Sequence, residues 1–199
     1  MELLPIKRAI LSTTDKSGLP EFARFLTDNG VEIVSTGGTA KTLREHGLPV
    51  SDVSAVTGFP EILDGRVKTL HPFIHGGLLA DKDKSEHLES LDRLGIKTFD
   101  LVCVNLYNFA SATGKELPEA IEEIDIGGPC MLRAAAKNFR SVLTLCSPAS
   151  YEQVMKILAA EGMKAPLDLR LDCAARVFAA TAAYDGMIAA YLAGCATGK

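Results

Sequence analysis

Val31-Glu32-Ile33-Val34-Ser35-Thr36-Gly37-Gly38-Thr39-Ala40 sets the fold class. Val31 to Ser35 is rich in β-branched residues and reads as a strand. Thr36 to Thr39 is a glycine-rich turn, and a helix is predicted from Ala40 to His46, closed by Gly47. Strand, glycine turn and helix in this order present backbone N–H groups and a helix N-terminus to an anion. Gly-Gly is also common in plain turns, so the same residues read equally as a connection with no ligand.

The pattern repeats on either side. Arg8 to Leu11 reads as a strand running into Ser12 to Gly18, followed by a helix from Leu19 to Asp28 with Leu19, Phe22, Ala23 and Leu26 on one face. Pro49 to Val53 suggests a third, short strand. His75 to Leu79 reads as flexible or tightly turned. Ser85 to Leu94 reads as a polar amphipathic helix. Phe99 to Val104 is a nearly continuous apolar run, as expected of a central strand buried on both faces. Helices are predicted at Leu117 to Glu123, Cys130 to Asn138 and Ala149 to Ala160, with a strand at Ser141 to Cys146. Leu167 to Leu192 is alanine-rich and predicts one long helix or two. Alternating strands and helices imply an α/β domain with a largely parallel sheet.

Composition bounds the rest. A chain of 199 residues, 47% hydrophobic and 23% charged, has ordinary globular composition and is expected to form a single domain over residues 1–199. A net charge of -4 argues against a general nucleic-acid or anionic-membrane binder. Five cysteines without a CxxC pair suggest reduced thiols in a cytoplasmic protein and offer no metal-ligand spacing. No leader pattern opens the chain, and no apolar run approaches the roughly 18 residues of a membrane span.

A second polar stretch carries chemistry: Gly65-Arg66-Val67-Lys68-Thr69-Leu70-His71-Pro72. If extended, it would point Arg66 and Lys68 to the same face. Arg offers a rigid fork of donors and Lys a compact charge, which suits a small anionic ligand. A solvated basic loop is the bland alternative.

The polar breaks, taken in order, are Thr14-Asp15-Lys16, Ser35 to Lys41, Thr57 to Glu61, Gly65 to Pro72, Asn105-Leu106-Tyr107, and Asp125 to Asn138. This series resembles the IMP cyclohydrolase domain at the N-terminus of the bifunctional purine biosynthesis enzyme, from about Arg8 to the end of the chain. The resemblance implies a methylglyoxal-synthase-like three-layer α/β/α sandwich with C-terminal helices. It implies ring closure of a formylated aminoimidazole carboxamide ribonucleotide to IMP, with no cofactor and no metal. It implies a homodimer, and partnership with a separate formyltransferase, because the family's longer transformylase domain has no counterpart here. The chain is then either a stand-alone cyclohydrolase or a truncated form.

Roles follow by the same resemblance. Thr14, Asp15, Lys16, Thr36, Gly37, Gly38 and Thr39 would line the ribose phosphate end. Arg66, Val67, Lys68 and Thr69 would sit nearer the base, with Lys68 at the formyl oxygen. Val104, Asn105, Tyr107, Asp125 and Ile126 would hold and polarise the carboxamide, and Lys137 would move the proton. Each has a plainer reading: Asp15 as a cap, Tyr107 as core, Lys137 as a cation at a helix C-terminus, and His71 as a loop-orienting residue. The family's Asn-Leu-Tyr-Pro-Phe reads Asn105-Leu106-Tyr107-Asn108-Phe109 here, which frees φ and adds an N–H. A regulatory nucleotide-binding module and methylglyoxal synthase itself are the competing readings.

Overall fold

The structure is a computed structural model that describes residues 1–107, 109 and 114–196. Its centre is a parallel sheet in the order β4-β3-β2-β5-β6, formed by β2 (Arg8–Thr13), β3 (Glu32–Ser35), β4 (Ser51–Asp52), β5 (Leu101–Asn105) and β6 (Leu143–Leu145). β5 is buried at all five positions, as its unbroken apolar run requires. Side chains alternate between two cores. Ala9, Leu11, Ile33, Leu101, Cys103, Leu143 and Leu145 face one side; Ile10, Val34, Val102 and Val104 face the other.

Helices cover both faces. α1 (Leu19–Asp28), α2 (Gly37–Glu45) and α8 (Tyr151–Ala160) contribute Leu19, Phe22, Leu43 and Leu158 to the first core. α4 (Pro72–Leu79), α7 (Gly127–Lys137) and α9 (Leu167–Ala196) contribute Ile74, Met131, Leu132 and Val177 to the second. Three shorter or more polar helices, α3 (Val53–Thr57), α5 (Ser85–Arg93) and α6 (Leu117–Glu122), fill the connections. The expected three-layer α/β/α sandwich is thus observed.

Four local expectations change. β1 (Leu3–Pro5) pairs antiparallel with β7 (Lys164–Pro166), a small second sheet with no clear alternation in the sequence. The third strand shrinks to two residues because Val53 opens α3. The His75 to Leu79 segment is helical. His71 caps α4 by accepting from Phe73 N at 3.2 Å, Pro72 opens the helix, and Gly77 lets it pack close. A Cβ on Gly77 would stand 2.5 Å from Lys97 O, so that glycine serves contact, not flexibility. Finally, Gly65 to Pro72 is not extended. Leu63–Gly65 form a 3-10 turn, Leu63 and Asp64 take φ of 54° and 53°, and Gly65 takes 90°.

The long C-terminal helix is one element of 30 residues. It is the one described helix long and apolar enough, by length and composition, to cross a membrane. In this fold its first half packs against α7 and β6. Tyr184 is buried with Phe109 and Ala120, whereas no residue from Asp185 to Ala196 is buried.

Candidate functional site

The strand order reverses direction between β2 and β5. β3 and β4 lie to one side of β2, and β5 and β6 to the other. Open α/β sheets bind ligands beyond the carboxyl ends of their strands at such a switch point. Thr14 to Ser17, Thr36 to Gly38 and Leu106-Tyr107 all follow those strand ends.

Asn105, the last residue of β5, ties this edge together. Its Oδ1 accepts from Thr14 N at 2.7 Å and Asp15 N at 3.0 Å, and its Nδ2 donates to Asp15 O at 2.7 Å. The side chain is buried and engaged, so it shapes the Thr14–Asp15 loop instead of reaching out to a carboxamide. Asp15 turns inward on the same loop. Its Oδ1 accepts from Ser17 N and Ser17 Oγ, and these bonds hold its carboxyl below the usual range. Lys16 Nζ donates to Thr14 O at 3.3 Å and is half-exposed.

α2 begins one turn earlier than its sequence suggests, at Gly37, which takes φ of 39°. Thr36 precedes it in an extended conformation and makes no side-chain cap bond; its hydroxyl instead meets Ser12 Oγ at 2.9 Å. The first-turn N–H groups of this helix are therefore open to an anion. Thr39 is different. Its hydroxyl accepts from Thr13 N at 2.9 Å and donates to Thr13 O at 3.0 Å, which locks α2 to β2 and removes the side chain from ligand duty.

The cationic loop closes over this turn. Lys68 Nζ stands 3.7 Å from where a Cβ on Gly37 would be, beside the α2 N-terminus. Sequence reading had put it at the base end. Arg66 and Lys68 do not share a face. Lys68 Nζ pairs with Glu61 Oε2 at 3.0 Å, and Arg66 pairs with Glu122 of α6. Val67 pairs through its backbone with Ile62 in an antiparallel bridge. Thr69 is buried, and its Oγ1 would lie 2.7 Å from a Cβ on Gly127, so that glycine permits the loop to touch the α7 N-terminus.

Asp125 precedes that terminus. Its Oδ1 accepts from Gly128 N at 2.9 Å, yet burial outweighs this bond and raises the carboxyl pKa. Ile126 and Tyr107 are exposed at the same edge, at 54% and 47%. Val104 is buried in the second core, so its side chain cannot line a site. Asn108, the departure at the tyrosine loop, lies outside the described residues.

Lys137 falls elsewhere. It ends α7, ten residues after Gly127, about 15 Å away at helical rise. α7 runs against the strands. The neighbouring Asn138 donates to Leu78 O and Ala80 O at the far end of α4. The resemblance implies one site for Lys68 and Lys137; here Lys68 lies by the α2 turn and Lys137 closes α7, at the opposite end of that helix from Gly127.

A family model described as an MGS-like domain matches residues 18–130. The chain belongs to the MGS-like domain family. A second model, described as AICARFT/IMPCHase bienzyme, matches residues 135–199. The chain is 54% identical over 190 residues to the bifunctional purine biosynthesis protein PurH of Lactobacillus acidophilus, covering 94% of this chain and 37% of that protein. It thus spans little more than a third of that relative's length. A solved structure described as "Crystal structure of ForH" superposes with a TM-score of 0.86 at 35% identity, covering 94% of this chain and 97% of that one.

Three site residues of this MGS-like domain escaped the sequence reading. Tyr184 Oη accepts from Asp125 N at 2.7 Å and donates to Glu123 O, fixing the turn from α9. Nothing local announces a contact across 59 residues. Glu61 and Glu122 are the other two, and their only signal was charge opposite to that of Arg66 and Lys68. Among the described residues no three His, Cys, Asp or Glu side chains converge as a metal set would.

Proposed function

We propose that this chain is an IMP cyclohydrolase. It closes the second purine ring: the carboxamide nitrogen attacks the formyl carbon in the same molecule and a C–N bond forms, that nitrogen's proton passes to the formyl oxygen, and the resulting carbinol loses water as its C–O bond breaks, the formamide nitrogen gives up the second proton and a C=N bond forms. The observation that carries this reading is the meeting of three segments at the switch point: the open α2 N-terminus, the Arg66–Thr69 loop and the Asp125–Gly128 turn. The likeness to PurH supports it.

In this reading the α2 turn, Lys16 and Lys68 hold the ribose phosphate, through N–H donors and two ammonium groups. Thr69, Tyr107 and Ile126 flank the base. Asp125 takes the carboxamide proton, a role favoured by the burial that makes its carboxylate a stronger base. Much of the rate enhancement comes from holding formyl group and amide in near-attack geometry, since both already belong to one substrate. The reaction is redox-neutral and intramolecular, so turnover is expected without added folate or metal.

In this reading the domain works in the cytoplasm, on substrate made by a formyltransferase activity. It works as a homodimer, supported by the unburied run Asp185 to Ala196 with Met187 and Leu192 exposed. A single species near 21.2 kDa in sedimentation would refute the dimer. The deciding assay is incubation with the formylated ribonucleotide, following IMP by absorbance. Phosphate release from a triose phosphate, with no IMP formed, would transfer the reading to methylglyoxal synthase.

A further inference from the structure

The two cations of the loop are already neutralised from within the chain. Glu61 Oε2 lies 3.0 Å from Lys68 Nζ, and Glu122 holds Arg66. Lys68 Nζ also lies beside Gly37, so Glu61 brings a carboxylate to the mouth of the α2 N-terminus. An incoming phosphate would meet like charge there. Both pairs are exposed, with side-chain exposures of 34% and 49% for the first and 65% and 56% for the second. Exposed pairs contribute little and break easily. The loop that carries Lys68 and Arg66 turns through the left-handed residues Leu63, Asp64 and Gly65, a conformation that costs energy for the two non-glycines.

We propose that Glu61 is an exchangeable anion, which pairs with Lys68 beside the α2 N-terminus and gives way to the phosphate of the ligand. This inference rests on the nucleotide reading above. The exchange makes the site selective. A phosphate dianion gains the α2 N–H groups as well as Lys68, and so outcompetes a carboxylate. An uncharged nucleoside has nothing with which to displace Glu61. The Glu61 carboxylate therefore reduces affinity for phosphate-bearing ligands, contrary to the usual expectation that removing a charged neighbour from a binding site weakens binding.

The test uses Glu61→Gln, Glu122→Gln and the double variant, titrated calorimetrically with inorganic phosphate, IMP and inosine. Thermal unfolding checks that each variant folds, which loss of an exposed pair permits. Glu61→Gln and the double variant are expected to tighten IMP and phosphate binding about 1.5- to 5-fold, with inosine unaltered, while Glu122→Gln alone changes phosphate binding little. Unchanged or weaker binding of IMP and phosphate in Glu61→Gln, or equal tightening of inosine, would overturn the exchange. Wild-type protein that binds phosphate but not IMP would remove the nucleotide reading, while the phosphate titrations would still judge the exchange. Failure of wild type and double variant to bind either anion would remove both.

Discussion

Replacing Asn105 with alanine tests how the switch point is built. The side chain makes three hydrogen bonds to the Thr14–Asp15 backbone, at 2.7, 3.0 and 2.7 Å. At about 0.5–1.5 kcal/mol net for each, their loss amounts to roughly 1.5–4.5 kcal/mol. Thr14 and Asp15 are exposed, so water can reach the freed groups. That favours the lower half of the range, about 2–3 kcal/mol. If half of this appears as local disorder of the loop, IMP binding weakens by about 5- to 13-fold through the ordering it must supply. Asn105→Asp keeps both acceptor bonds but sets a carboxylate oxygen against Asp15 O in place of the donor, so at neutral pH it should be no more stable than alanine and should recover toward wild type in acid, where the protonated carboxyl can donate. Urea unfolding read by circular dichroism gives the stability, and calorimetry gives the affinity. An alanine variant within about 0.5 kcal/mol of wild type and with unaltered IMP binding would show that the loop is held by something else.

Gly77→Ala should destabilise by about 1–3 kcal/mol, because its Cβ would stand 2.5 Å from Lys97 O, a backbone atom that cannot swing away; an unchanged melting temperature would contradict the close packing of α4. Tyr184→Phe keeps the ring among Phe109 and Ala120 but releases Asp125 N. It should cost about 1 kcal/mol and lower kcat more than it raises KM, measured by steady-state kinetics. Asp125→Asn tests the buried carboxyl. Its pKa is raised in the folded protein, so the folded state favours the proton. The stability this gives is full below the unfolded pKa and is lost as pH rises through the folded value. Asparagine should therefore raise the melting temperature at pH 7, with the difference shrinking in acid, while turnover is lost. A variant less stable at pH 7 than at low pH, relative to wild type, would reverse the sign.

The sequence was most readable where one residue type has one physical use. The apolar run ahead of Asn105 is buried as a central strand, and the glycine turn after Ser35 opens a helix, because β-branching and glycine act locally. The Gly65 to Pro72 stretch was misread in shape because alternation of charge resembles strand alternation. Its true form depends on positive φ at Leu63 and Asp64, which no local propensity favours. The resemblance implies ligand contacts at Thr39 and Asn105, whose hydroxyl and amide groups can serve either ligand or backbone. Only tertiary structure shows that their hydrogen bonds are already used within the fold. Tyr184 and Glu122 were out of reach because their partners are 59 and 56 residues away.

The two edges of the sheet are built to different purposes. At the amino ends of the strands, Arg170 is fully buried and donates to the carbonyls of Pro166, Phe139, Arg140, Met1 and Glu2, joining the N-terminal residues and the start of α9 to the α7–β6 connection. Lys82 pairs with Asp100, whose other oxygen accepts from Lys7 N and Arg8 N at 2.8 Å each. These are buried charges with their bonds satisfied, and breaking one partner leaves an uncompensated charge. At the carboxyl ends the charges are exposed, their pairs are weak, and the connecting turn is strained. A ligand can rearrange the second edge at little cost only because the first does not yield. Lys137 stands at the firm edge, at the negative end of the α7 dipole, where a cation stabilises the helix. The proposed mechanism accordingly gives the carboxamide proton to the carboxyl of Asp125, just before the other end of the same helix.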